Sequence, residues 1–185
     1  MCGIRSSRAT AAFTSAEMLV AAGLASLVGL AVAVFSFYTT RALVATVNYV
    51  DLDQQGQLAL DQFTQQVRGV NQLTSYTTSY GVINSLTFQD YDGDDLTFSY
   101  DPNVRTLSRT KGGNTDQWLT NCDSLQFQIY QRNVQSNTFD CVSTGNATNC
   151  KLIQVTWVCS RTILGSKANT ESVQSAKVVM RQQQQ

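Results

Sequence analysis

Twenty-six residues, Phe13 to Tyr38, carry a single charge, the carboxylate of Glu17, and nothing else in the chain constrains its folding so tightly. A stretch of that length can cross a bilayer as one tilted helix. A carboxylate near the end of such a helix is costly in lipid and marks a functional position. Arg5 and Arg8 lie ahead of it. A cleaved secretory signal has an apolar region of about 7–15 residues, shorter than this run and without its acid. A plain signal anchor, with Arg5 and Arg8 holding the N-terminus in the cytoplasm, fits the charges but gives Glu17 nothing to do. Ala21, Ala25, Gly29 and Ala33 recur every fourth residue. Such a small-residue stripe lets a second helix backbone approach closely, although any membrane helix is rich in Ala and Gly.

The rest of the chain narrows the function by what it lacks. Its 185 residues include no histidine, which removes the usual general base, the Ser-His and Cys-His nucleophile pairs and the commonest zinc ligand. No other catalytic constellation stands out, so an enzyme is not expected. Thirteen basic residues balance thirteen acidic ones, with no concentrated basic face of the kind nucleic acid demands. Beyond the apolar helix there remain roughly 110–140 residues, enough for one small domain.

Past Arg41 the pattern turns amphipathic. Leu43, Val47 and Val50 lie on one stripe; Leu60, Phe63, Val67 and Val70 lie on a second, nearly half a turn out of phase. Gly56 sits where the phase slips, and an interior glycine weakens a helix by about 1 kcal/mol relative to alanine. Either a kink there or a rotation of the buried face is expected. From Asn71 the period changes to two. Ile83–Gln89, Leu96–Tyr100 and Val104–Arg109 read as short strands, with turns at Asp92-Gly93 and Asp101-Pro102-Asn103. Cys122–Arg132 and Lys151–Ser160 read as longer strands, Glu171–Arg181 as a last one, and Gln182–Gln185 as a polar tail. A sheet over the C-terminal half of one long helix is an α+β arrangement.

Ala12-Phe13-Thr14-Ser15-Ala16-Glu17, followed by an apolar helix, resembles the cleavage and methylation motif of type IV prepilins. The stretch from Leu86 to Arg109, with its Asp92-Gly93 turn between aromatic strands, resembles the meander of PilW-type minor pilins and of J-type minor pseudopilins of type II secretion. The resemblance implies a leader at 1–12, cleavage between Ala12 and Phe13 by prepilin peptidase, and N-methylation of Phe13. It implies that residues 13–38 form the membrane and filament-core helix, 39–70 its amphipathic half and 71–181 a periplasmic or extracellular pilin-like domain. Glu17 would neutralise the Phe13 amine of a neighbouring subunit, because a buried amine and a buried carboxylate are each costly unless paired. Partners would be prepilin peptidase, other pilin or pseudopilin subunits and the bacterial inner membrane, with the N-terminus cytoplasmic; no cofactor and no nucleic acid are implied. Ala12 stands where the family usually has Gly, Ser15-Ala16 replaces two bulky aliphatics, and no proline interrupts the helix, which leans toward a minor subunit. The competing class is a signal-anchored periplasmic domain with a binding or enzymatic role unrelated to filaments.

Two clusters complete the reading. Asp90, Asp92, Asp94 and Asp95 surround Gly93, but the EF-hand spacing is absent and no bidentate Glu follows. The cluster reads as a solvated turn, with a weak calcium site as the alternative. Cys2 would leave with the leader, and Cys122, Cys141, Cys150 and Cys159 remain for an oxidising compartment. A hairpin of the two long strands places Cys122 and Cys159 at its open end and Cys141 and Cys150 in its loop, which predicts the pairs Cys122–Cys159 and Cys141–Cys150. Cys122 is out of phase with Leu125, Phe127 and Ile129, so its pairing requires a bulge near Asp123-Ser124. Without a CxxC pair, zinc is not expected.

Overall fold

The computed structural model describes residues 14–133, 140–162 and 171–181. The expected leader, Ala12, Phe13 and the polar tail lie outside the described residues. One helix, α1 (Ser15–Gly69), precedes nine strands: β1 (Gln72–Ser79), β2 (Val82–Gln89), β3 (Asp95–Asp101), β4 (Thr106–Lys111), β5 (Asn114–Leu119), β6 (Cys122–Arg132), β7 (Cys141–Ser143), β8 (Leu152–Ser160) and β9 (Glu171–Val179). A long N-terminal helix packed on an antiparallel sheet is the α+β, pilin-like arrangement expected. The chain divides into two compact units, one ending at Leu43 and the other beginning at Val44.

In the first unit, the large apolar side chains of α1 between Met18 and Tyr38 all stand exposed. In the second unit, α1 buries Leu52, Gly56, Ala59, Phe63 and Val67, followed by Val70 just past its end. Steps of three and four residues keep these on one helical face. The helix runs unbroken through Gly56, which belongs to that face. A Cβ there would stand 3.2 Å from Gln174 Cγ and 3.6 Å from Trp157 Nε1, so the glycine permits a close approach to β8 and β9. Leu43, Val47 and Val50, expected as a stripe, are exposed.

The sheet runs β5-β4-β3-β2-β6-β8-β9, with β1 added to β2 and β7 to β6. It consists of two well-paired halves, β1 to β5 and β6 to β9. They join in the register at one residue pair, Ile83 with Phe127. Phe63 of α1 covers this seam. Its ring centroid lies 5.0 Å from that of Phe98 on β3 and 5.9 Å from that of Phe127 on β6. Polar ties reinforce the packing: Arg109 Nε on β4 donates to Gln66 Oε1 at 2.9 Å, and Arg161, just past β8, pairs with Asp51 at 2.5 Å. On β9, Gln174 Nε2 donates to Asp53 Oδ1 at 2.8 Å.

Three strands were not anticipated. β1 carries one buried residue, Leu73, in an otherwise Ser/Thr/Tyr-rich sequence, and β5 is polar until Trp118-Leu119, so neither shows the alternation that marks a half-buried strand. β7 has only three residues, all exposed. The third expected strand begins two residues later than proposed, because Val104 and Arg105 belong to the turn before β4 and Arg105 adopts φ 57°.

Phe63→Ala removes the only aromatic of the helix's buried face and opens a cavity against both half-sheets, for which about 3–5 kcal/mol is the usual cost. Urea unfolding of the detergent-solubilised chain, followed by tryptophan fluorescence, should move its midpoint accordingly; a loss below about 1 kcal/mol would mean the seam closes without this ring.

Candidate functional site

Thr14 and Glu17 form a reciprocal cap at the head of α1. Thr14 N and Oγ1 donate to Glu17 Oε2 at 2.9 and 3.0 Å, and Glu17 N donates to Thr14 Oγ1 at 3.3 Å. This is the S/T-x-x-E capping box, in which two otherwise unsatisfied helix-end donors find acceptors. The pattern Thr14-Ser15-Ala16-Glu17 carries the cap in the sequence itself, within the longer motif that begins at Ala12. Glu17 is exposed, so its carboxylate is bonded within its own helix yet reachable from outside. Ala12 and Phe13 lie outside the described residues.

Below the cap, Ala21, Ala25, Gly29 and Ala33 are exposed along the helix, and a Cβ built on Gly29 would meet nothing within 4 Å. Ser26 Oγ donates to Gly23 O, Thr39 Oγ1 to Phe35 O and Thr40 Oγ1 to Ser36 O, so these hydroxyls are satisfied by the helix itself. The segment is long and apolar enough to cross a membrane.

The acidic turn is held by a lysine. Lys111 Nζ pairs with Asp90 and, at 2.9 Å, with Asp92. Asp92 Oδ1 accepts from Asp94 N, and the backbone of Asp90 closes on Asp94 and Gly93. In this arrangement an ammonium occupies the place between the Asp90 and Asp92 carboxylates, and no group of three or more metal-ligating side chains forms among the described residues. The same contact, chiefly the hydrogen bond from Lys111, holds the Asp92 carboxyl below its usual range, and the bonds that Lys111 donates to Asp90 and Asp92 raise its ammonium.

All four described cysteines are free thiols in the structure. Cys122 and Cys159 are nevertheless direct register partners, and the register shifts between Cys122 and Ser124, where the sequence required a bulge. Cys150 is buried, its thiol raised to about 11 by desolvation, and its Sγ lies 3.6 Å from Leu152 O. Cys141 is exposed on β7 opposite Arg132. The register places Cys122 and Cys159 directly opposite each other.

A cavity of about 430 Å³ opens beside the seam, with Tyr80, Val82, Asn84, Tyr100 and Val158 in its wall. The carboxylate in that wall, Asp123, is bonded to Arg105 and to Ser160. Tyr100 donates its hydroxyl to Cys122 O at 2.9 Å, and burial raises its pKa to about 12.

No protein-family model matches the sequence, and no curated protein matches it.

The lysine-held turn gives a direct pH test. Asp92 is depressed, so its contribution is present above its unfolded value near 3.8 and is lost as pH falls through the lower folded value. Lys111 is raised, so its contribution is present below the ordinary value of 10.5 and is lost as pH rises through the folded one. Lys111→Met should therefore lower stability by a constant amount from about pH 5 to 9, with the difference shrinking in stronger acid. Millimolar calcium should leave the thermal midpoint of the native chain unchanged; a rise of several degrees would restore the metal reading.

Proposed function

We propose that the chain is a minor pilin or pseudopilin subunit with a structural or priming role in a type IV pilus or type II secretion pseudopilus. On this reading prepilin peptidase cleaves between Ala12 and Phe13 and methylates Phe13. The subunit waits in the bacterial inner membrane, N-terminus cytoplasmic and domain periplasmic, before it joins other subunits. The observation that carries the proposal is the exposed, uncharged surface of α1 from Met18 to Tyr38, headed by Glu17, on a helix that continues into an α+β domain. A contiguous apolar surface of that extent is not tolerated in water. Lipid covers it first, and packed helices cover it next, with the stripe of Ala21, Ala25, Gly29 and Ala33 allowing close contact.

Glu17 has two successive partners in this scheme. In the isolated subunit it caps its own helix through Thr14. In the filament it turns to the Phe13 amine of a neighbour, a pairing that offsets the cost of burying either charge alone.

A second reading, a signal-anchored periplasmic domain, gains from the same cap, because the capping box supplies Glu17 with a role that needs no neighbour. Intact mass and N-terminal sequence of the protein from its native membrane separate the two. A chain beginning at N-methylated Phe13 is expected; a chain beginning at Met1 supports the anchor. Glu17→Gln keeps a capping acceptor and removes the charge. Filament incorporation should fall more than about tenfold with membrane insertion intact, whereas the anchor reading expects no change.

A further inference from the structure

We propose that the native protein carries a single disulfide, Cys122–Cys159, and that Cys141 and Cys150 stay reduced. The two cysteines are directly opposed on antiparallel β6 and β8, where opposed Cα atoms lie about 4.5–5.5 Å apart, inside the roughly 4.4–6.8 Å span of a disulfide. Both side chains point into the core, at 0% and 2% exposure. The bulge after Cys122 is what turns its side chain to that face: without the register shift before Ser124, Cys122 would follow the outward phase. Cys122 Sγ donates to Ser124 O at 3.3 Å, and the interaction between the two neighbouring thiols raises Cys122 and lowers Cys159.

The pair Cys141–Cys150 lacks this geometry. Tyr130 of β6 is paired with Ser143 of β7 and with Leu152 of β8, so those strands flank β6 on opposite sides. Two strand spacings amount to roughly 9–10 Å, beyond the reach of about 7 Å; Cys141 lies on one flank, opposite Arg132, and Cys150 just precedes the other.

The surroundings explain why a staple matters at this place. Cys122 N donates to Arg105 O, Tyr100 donates to Cys122 O, and Arg105 reaches Asn121 O and Ser160 O while pairing with Asp123 at 2.5 Å. These contacts dock the β3–β4 turn onto the open end of the β6–β8 hairpin. A covalent bond between Cys122 and Cys159 fixes the platform that receives it.

The chemistry is thiol–disulfide exchange with a donor disulfide, and it rests on the reading that the domain faces an oxidising compartment. The Cys159 thiolate attacks one donor sulfur, forming a mixed disulfide and expelling one donor thiolate. The Cys122 thiolate then attacks the Cys159 sulfur and expels the second. Two electrons pass to the donor, and the two cysteine protons end on the released thiols. Because both sulfurs are buried in the folded domain, the exchange belongs to folding, before the core closes.

The test uses the full chain in detergent, unfolded with reductant and refolded with oxidised and reduced glutathione, alongside protein from native membranes. Both are alkylated in denaturant and mapped as peptides without reduction. The expected result is a Cys122–Cys159 cross-linked peptide in both, with Cys141 and Cys150 alkylated and a thermal midpoint that falls by roughly 5–15 °C on reduction. Any other linkage among Cys122, Cys141, Cys150 and Cys159, or alkylation of all four of these in the refolded chain, overturns the proposal through its geometry. A linked refolded chain beside a fully alkylated native one overturns it through the compartment.

Discussion

Phe63 is the contact on which the domain depends. The two half-sheets share one register pair, Ile83 with Phe127, and a seam so short leaves two hydrophobic faces free to slide or part. The ring of Phe63 meets Phe98 edge-on and Phe127 nearly face to face, so one side chain holds both halves at a fixed offset. Phe98 passes the contact on to Phe88 and Trp118. Aromatic pairs at these separations add about 0.5–1.5 kcal/mol each beyond the area they bury. The rest of the buried face of α1 then follows: Gly56 lets the helix settle against Trp157 and Gln174, and Arg161 and Arg109 fasten it at two levels.

Much of this was legible in the sequence where one physical pattern dominated. The run from Phe13 to Tyr38, charged only at Glu17, announced a long apolar helix, and the alternation in Leu125-Phe127-Ile129 and Ile153-Val155-Trp157 announced the paired long strands. The phase of Cys122 left two outcomes, a bulge that restores its pairing or a free thiol off the core face, and the register does shift between Cys122 and Ser124. The failures occurred where local pattern and tertiary context part. β1 is strand because β2 offers it an edge, not because its Ser/Thr-rich residues alternate. Gly56 was weighed by helix propensity, whereas close packing decides its role. Lys111 is nearly twenty residues along the chain from Asp92, and nothing in the spacing showed that it would fill the acidic turn.

The head of the helix illustrates how one residue type serves two demands. A carboxylate three residues after a threonine caps a helix in any solvent, and the same carboxylate beside a free amine forms an ion pair where water is scarce. Glu17 satisfies the first demand by its bonds to Thr14, and the proposed assembly exchanges those bonds for the second. The exchange leaves Thr14 N and Oγ1 to find other acceptors, so docking a neighbour is coupled to rearrangement of the helix terminus.

The division of the sheet also bears on how the chain reaches its fold. β1 to β5 pair only with sequence neighbours inside their half, and β6–β7 and β8–β9 are likewise consecutive; β2–β6 and β6–β8 are the pairings that skip strands. Contacts of such short range keep loop-closure entropy small and favour fast folding. A meander of this kind can zip up hairpin by hairpin, with the closure between its halves deferred to the arrival of β6. The narrow seam thus joins two halves whose strands pair mostly with their sequence neighbours, and α1 meets β8 and β9 only once those later strands are in place.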